Sequence, residues 1–154
     1  MSAKETIYKY CLYQPRCHKE VKNKLYELGC TTPEVDQYLA ELIEVGLLNE
    51  EKFARAIARG KFRLKHWGRN KIVQQLKMQQ VSAYCIKKGL SEIDPYEYEI
   101  TLKRLVVKKW LELKGERNQL VRRQKVFRYM VQKGYEIDMV NDAINEILNA
   151  NKLL

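Results

Sequence analysis

Three stretches of this chain superimpose in sequence, without a gap, at shifts of 51 and then 54 residues. Val21, Ile72 and Val126 share one position, Leu25, Leu76 and Met130 another, and Gly29, Gln80 and Gly134 a third. The register continues through Cys30, Val81 and Tyr135 into Val35, Ile86 and Val140, then Leu39, Leu90 and Ile144, and finally Leu42, Ile93 and Ile147. Apolar residues recurring every three and four places mark helices that bury one face. A period near fifty residues means that each helical unit hides this face against its neighbour. The expectation is an all-α fold of three tandem three-helix repeats, over residues 1–48, 49–93 and 94–154, forming an elongated body whose curvature is left open.

Start and stop signals divide the repeats into nine helices. The first passes through Ile7 and Tyr10 and breaks at Pro15. The second runs from about His18 to Leu28 and stops at Gly29. The third starts at Thr32-Pro33, with Thr32 as the expected cap, and ends at Gly46. Asn49 caps the fourth, with Glu50 and Glu51 at the positive end of its dipole. The fifth spans about Arg69 to Gln79. The sixth opens at Ser82 and carries Gly89 inside it, at a cost of about 1 kcal/mol relative to alanine. The seventh begins near Pro95 and lines up Tyr98, Leu102, Leu105, Val106, Trp110 and Leu113. The last two cover about Gln119 to Lys133 and Asp138 to Asn149.

Seven glycines and three prolines in 154 residues supply little turn material for an all-β fold. No apolar run is long enough to span a bilayer, and no secretory signal follows Met1, so a soluble cytoplasmic protein without membrane contact is expected. Cys11, Cys17, Cys30 and Cys85 form no C-x-x-C pair and read as reduced thiols. A zinc site from Cys11, Cys17, His18 and Cys30 would have irregular ligand spacing. With two isolated histidines, no phosphate-cradling glycine loop and no nucleophile motif, the chain is read as a non-enzyme with no metal and no cofactor.

The formal net charge of +10 is unevenly placed. Residues 51–90 hold eleven Lys/Arg against one Asp/Glu, whereas residues 1–50 hold six against eight and residues 91–154 twelve against ten. Advancing each residue of the helix after Asn49 by about 100° separates two faces. Phe53, Ile57 and Leu64 are expected at the core. Lys52, Arg55, Arg59, Arg63 and His66 share another side, with Phe62 at its edge and Trp67 just beyond. Lys65, Arg69 and Lys71 extend the candidate set. Planar guanidinium groups bind paired oxygens, so both phosphate and carboxylate partners suit this surface. The competing reading is a solvated face whose arginine stems cover apolar neighbours. Arg122, Arg123, Lys125 and Arg128 form a secondary candidate cluster.

The run Gly46-Leu47-Leu48-Asn49-Glu50-Glu51-Lys52-Phe53-Ala54 resembles the RecX family of bacterial regulatory proteins that act on the RecA recombinase. The similarity extends through the basic stretch, the start at Gly68-Arg69-Asn70-Lys71-Ile72 with Leu76 beyond it, and the order of helix triplets, over roughly residues 5–149. Cys17 departs from the family's serine, which suggests that the cap moves to another group. Gln80 stands where a helix-ending glycine is expected. The resemblance implies a monomeric protein that lies in the groove of the RecA filament on single-stranded DNA and reduces its ATP turnover, strand exchange or growth, thereby influencing recombination and repair. The alternative is a DNA-binding protein without a RecA partner, either indifferent to sequence or reading the major groove through a helix-turn-helix with Asn70, Gln74 and Gln75 near the recognition helix.

Overall fold

The computed structural model describes the backbone of residues 1–153 and the side chains of residues 1–150. Nine helices and no strand occur among the described residues. They are α1 (Ala3–Tyr13), α2 (His18–Glu27), α3 (Thr32–Glu44), α4 (Glu50–Lys65), α5 (Arg69–Met78), α6 (Ala83–Leu90), α7 (Pro95–Glu112), α8 (Gln119–Gln132) and α9 (Ile137–Leu153). None is long and apolar enough to cross a membrane.

The repeat is visible at the level of single hydrogen bonds. At the end of α2 the amides of Leu28, Gly29 and Cys30 donate to the carbonyls of Lys24, Tyr26 and Leu25. At the end of α5, Gln79, Gln80 and Val81 donate to Gln75, Lys77 and Leu76; at the end of α8, Lys133, Gly134 and Tyr135 donate to Tyr129, Val131 and Met130. These are the same three bonds at the shifts of 51 and 54. Each turn needs a left-handed residue, and φ is +87° at Gly29, +60° at Gln80 and +103° at Gly134. Gln80 therefore takes the glycine conformation without being glycine, at a cost of about 1–2 kcal/mol. Val21, Leu25, Ile72, Leu76, Val126 and Met130 are all fully buried.

Two expected caps are corrected. Cys17 does not pass its role on. Its sulfur accepts the Glu20 amide at 3.4 Å while the Glu20 carboxylate accepts the Cys17 amide at 3.1 Å, closing a capping box. Sulfur is a weak acceptor, but this one is buried, and burial pushes the thiol up to about 11, so it stays protonated. The cap of α3 is Thr31 rather than Thr32: the Thr31 hydroxyl accepts from the Glu34 amide, and Glu34 returns the bond to the Thr31 amide at 3.0 Å. The carboxylate that closes this box lies three residues after Thr31, which is why the cap is one place earlier than Pro33 suggests.

The core face of α4 also differs from expectation. Leu64 is 83% exposed, whereas Phe62 is 5% exposed; the buried positions are Phe53, Ala54, Ala58 and Phe62. Spacing of four carries the buried stripe from Ala54 through Ala58 to Phe62, so two alanines that seemed neutral are core residues.

The chain forms two compact units, and both divide the middle triplet. Unit 1 comprises Met1–Arg59 and Gln75–Glu92; unit 2 comprises Gly60–Gln74 and the chain from Ile93 onward. The core of unit 1 includes Ile7, Cys11, Val21, Leu25, Val35, Leu39, Leu42 and Leu48. Gly89 lies there against α4: a Cβ would meet the Ala54 carbonyl oxygen at 2.7 Å. The glycine that weakens α6 is thus what lets the two helices touch. In unit 2, α7 buries Tyr98, Leu102, Leu105, Val106 and Trp110 against α8 and α9, while Leu113 caps the helix half-buried.

Unit 2 also joins α5 end to end with α8. The amides of Gly68 and Asn70 donate to the carbonyls of Lys133 and Gly134 at 2.8 and 2.9 Å. Free donors at one helix start thereby meet free acceptors at another helix end, with the two dipoles aligned. Only glycine permits this approach, because a Cβ on Gly68 would lie 2.3 Å from the Gly134 carbonyl carbon.

Candidate functional site

The basic residues expected on and after α4 have very different surroundings. In unit 1, Lys52 is exposed. Arg55 and Arg59 are clasped by one carboxylate: Arg55 Nη1 lies 3.1 Å from Glu92 Oε1, and Arg59 Nη1 lies 3.5 Å from Glu92 Oε2. Arg55 also meets Glu51 at 3.5 Å. The Glu92 hydrogen bond, reinforced by the Glu51 charge, raises the Arg55 pKa further. Glu92 was not among the sequence candidates. The acid-poor stretch ends at residue 90, and nothing in helical spacing connects residue 92 with residues 55 and 59.

In unit 2, Arg63 and Lys65 are exposed and make no ion pair among the described residues. Arg69 is committed elsewhere. Its guanidinium is 2.7 Å from Glu136 Oε2 and stacks 3.8 Å from the Tyr98 ring centroid. Tyr98 accepts the Arg69 amide at 3.0 Å and donates its hydroxyl to Glu136. Burial, followed by that carboxylate, pushes the phenol far up, so Tyr98 remains a donor. Glu136 occupies the position that Thr31 and Ser82 hold as caps in the other repeats. This repeat has exchanged a helix cap for a half-buried ion pair, a substitution visible in sequence only once the register is known. Lys71 and Lys61 sit over the Trp67 ring at 4.3 and 4.8 Å, a stack of ammonium groups on indole.

The secondary cluster separates into its members. Arg122 donates from Nε to the Trp110 carbonyl at 3.0 Å and from Nη2 to the same oxygen, with its guanidinium 3.9 Å from the Trp110 ring. It serves the end of α7. Lys125 pairs with Glu116 at 3.1 Å. Arg123 is half-buried and Arg128 exposed, the latter at the mouth of a cavity with Phe127 and Val131.

Three cations around His66 were absent from the sequence candidates. Burial, and after it the charges of Arg104, Lys133 and Lys108, depress the pKa of the His66 imidazole below the ordinary 6.5. His66 is held in a left-handed conformation, φ +57°, and its carbonyl accepts the Tyr135 hydroxyl at 2.7 Å. These four residues are scattered over almost seventy positions of sequence, so no local pattern connects them.

Among the described residues, no group of three or more His, Cys, Asp or Glu is placed to hold a metal. Cys11 and Cys17 are buried and free; Cys30 and Cys85 are half-buried and free.

The fold and this surface define a class: an all-helical repeat protein whose three-residue turns recur in register and whose middle segment carries basic side chains only partly neutralised from within. Two family descriptions match, "RecX, second three-helix domain" over residues 49–90 and "RecX, third three-helix domain" over residues 97–144, together more than half of the chain. The chain belongs to the RecX family. It is 33% identical over 135 residues to the regulatory protein RecX of Clostridium perfringens strain 13, a match covering 87% of this chain and 63% of that protein. The protein of the same name from Prosthecochloris aestuarii is 25% identical, with 84% and 83% covered. The chain thus spans somewhat under two thirds of the length of the clostridial relatives. Its fold is similar to the crystal structure of RecX from Lactobacillus salivarius, with a TM-score of 0.83 at 19% identity over 94% of this chain and 93% of that one. A second crystal structure, of a regulatory protein RecX, matches with a TM-score of 0.82.

Proposed function

We propose that this chain modulates the RecA recombinase, binding its filament on single-stranded DNA and chiefly inhibiting ATP hydrolysis, strand exchange or growth, and that it does so as a cytoplasmic monomer. Family membership supports the partner. The observation that supports the site is how little acid meets the basic side chains of α4, taken in each unit by itself: in unit 1 Lys52 has no ion-pair partner among the described residues and Arg55 and Arg59 share one carboxylate, and in unit 2 Arg63 and Lys65 have no ion-pair partner among the described residues. Arg69 is removed from the contact set by its commitment to Glu136, and Lys71 contributes together with Trp67. Arg123 and Arg128 remain as secondary contacts, whereas Arg122 and Lys125 serve the fold.

The test follows ATP hydrolysis by RecA on single-stranded DNA together with filament length while this chain is titrated in. Inhibition at low stoichiometry is expected; inhibition only once the strand is coated would indicate a plain competitor for DNA. Replacing Arg55, Arg59 and Arg63 by glutamate should abolish filament binding while the helical circular dichroism stays intact. Unchanged binding by the folded variant rejects the site.

A further inference from the structure

Unit 2 carries a cavity next to the His66 group. It has a volume of about 250 Å³ and is lined by Phe62, Arg63, His66, Glu97, Ile100 and Thr101. Pockets for drug-sized ligands hold roughly 300–1,000 Å³, so this one suits a single flat ring system. Phe62 and Ile100 give it apolar walls; Glu97 and His66 give it polar edges. Arg104 stands one helical turn beyond Ile100 on the same side of α7, and Lys108 one turn beyond that. Lys133 comes from the end of α8. Arg104 and Lys108 are exposed, and none of these three cations makes an ion pair among the described residues. An apolar slot one ring in size thus continues into a row of unneutralised positive charge.

We propose that this is a nucleotide-binding site for single-stranded nucleic acid, with one unpaired base in the Phe62–Ile100 cavity and successive phosphates on His66, Arg104, Lys108 and Lys133. The proposal rests on the reading that the chain meets single-stranded DNA; its site shares Arg63 and His66 with the basic side of α4 and adds Arg104, Lys108 and Lys133. A duplex keeps its bases stacked and paired, so only a single strand can offer a ring to the slot. Guanidinium and ammonium groups take the phosphodiester oxygens and release counterions. His66 faces Arg63 from its own segment, Glu97, Arg104 and Lys108 from α7, and Lys133 from α8, and is bonded through its carbonyl to Tyr135. Burial, and then the charges of Arg104, Lys133 and Lys108, lower the imidazole pKa without ligand. A phosphate beside it reverses that balance, so binding takes up a proton.

The test uses the full chain with a dye-labelled oligodeoxythymidylate, fluorescence anisotropy at several salt concentrations, and nuclear magnetic resonance titration of His66, one of two histidines. The oligomer should raise the His66 titration midpoint, and affinity should increase as pH falls from the bound midpoint toward the lowered free one. Arg104→Gln with Lys108→Gln should lower the slope of log affinity against log salt by about 1.4, at about 0.7 per lost contact on a single strand. An abasic oligomer of equal length should bind severalfold more weakly, and Ile100→Ser should erase that difference. An unmoved His66 and an unchanged slope, while Arg55→Gln with Arg59→Gln still weakens binding, overturns this site and leaves the regulatory reading standing. No effect from either pair overturns this site and the strand contact of Arg55 and Arg59 alike. A His66 shift as large with inorganic phosphate as with oligomer, at equal phosphate, overturns the nucleic-acid assignment.

Discussion

Glu92 decides how much of the α4 charge is available. Its two oxygens each hold one arginine, and the carboxylate is only partly exposed, so the pair reaches any anionic partner already occupied. A phosphate competes with Glu92 for those donors. Replacing Glu92 by glutamine keeps the shape and removes the charge, and the expected outcome is severalfold tighter binding of single-stranded DNA at moderate salt, read by anisotropy. Unchanged affinity would mean that Arg55 and Arg59 do not contact the strand. Charge-assisted contacts of this kind lie outside the reach of helical spacing, because residue 92 approaches residue 55 only after α6 has packed on α4 through Gly89.

Helix boundaries were legible in the sequence at most caps, where the controlling interaction lies within four residues, but not at Cys17 and Thr31, whose capping boxes are just as local. Asn49 caps α4 through the Lys52 amide at 3.0 Å, Ser82 caps α6, and Asp94 caps α7, all as their residue types require. The misplaced core face of α4 has the opposite origin: alanine carries almost no hydrophobic signal, and only packing reveals that Ala54 and Ala58 are buried. The end-to-end contact between α5 and α8 makes a prediction about glycines. Gly68→Ala should destabilise the protein by about 1–3 kcal/mol through overpacking, because its Cβ meets backbone that cannot move aside. Gly60→Ala, inside α4 with open space around it, should stabilise by up to about 1 kcal/mol. Urea denaturation measures both; equal effects would exclude the close contact.

For the whole molecule, the repeat boundaries and the compact units do not coincide. We propose 1–48, 49–93 and 94–154 as units of sequence repetition and not of cooperative folding, since Gly60–Gln74 belongs with the last triplet. A fragment beginning at Asp94 loses Phe62 against Tyr98, Arg69 against Glu136, and the Gly68 and Asn70 bonds to the end of α8. It should melt at a lower temperature than a fragment beginning at Gly60, as followed by circular dichroism. Equal melting temperatures would restore the third triplet as an autonomous domain.

The sequence by itself determined the helices and their register, because a helix is governed by groups a few residues apart. At Gln80 the alignment with Gly29 and Gly134 marked a departure, and the structure supplied its left-handed φ of +60°. Only the tertiary structure decided which cations are free. Glu92 takes two arginines, Glu136 takes a third and Trp110 takes Arg122, while Arg104, Lys108 and Lys133 lie around His66 with no ion pair among the described residues. Charge acts through space and with little regard to sequence separation, so a basic stretch in sequence becomes a basic surface only where packing brings it no acid.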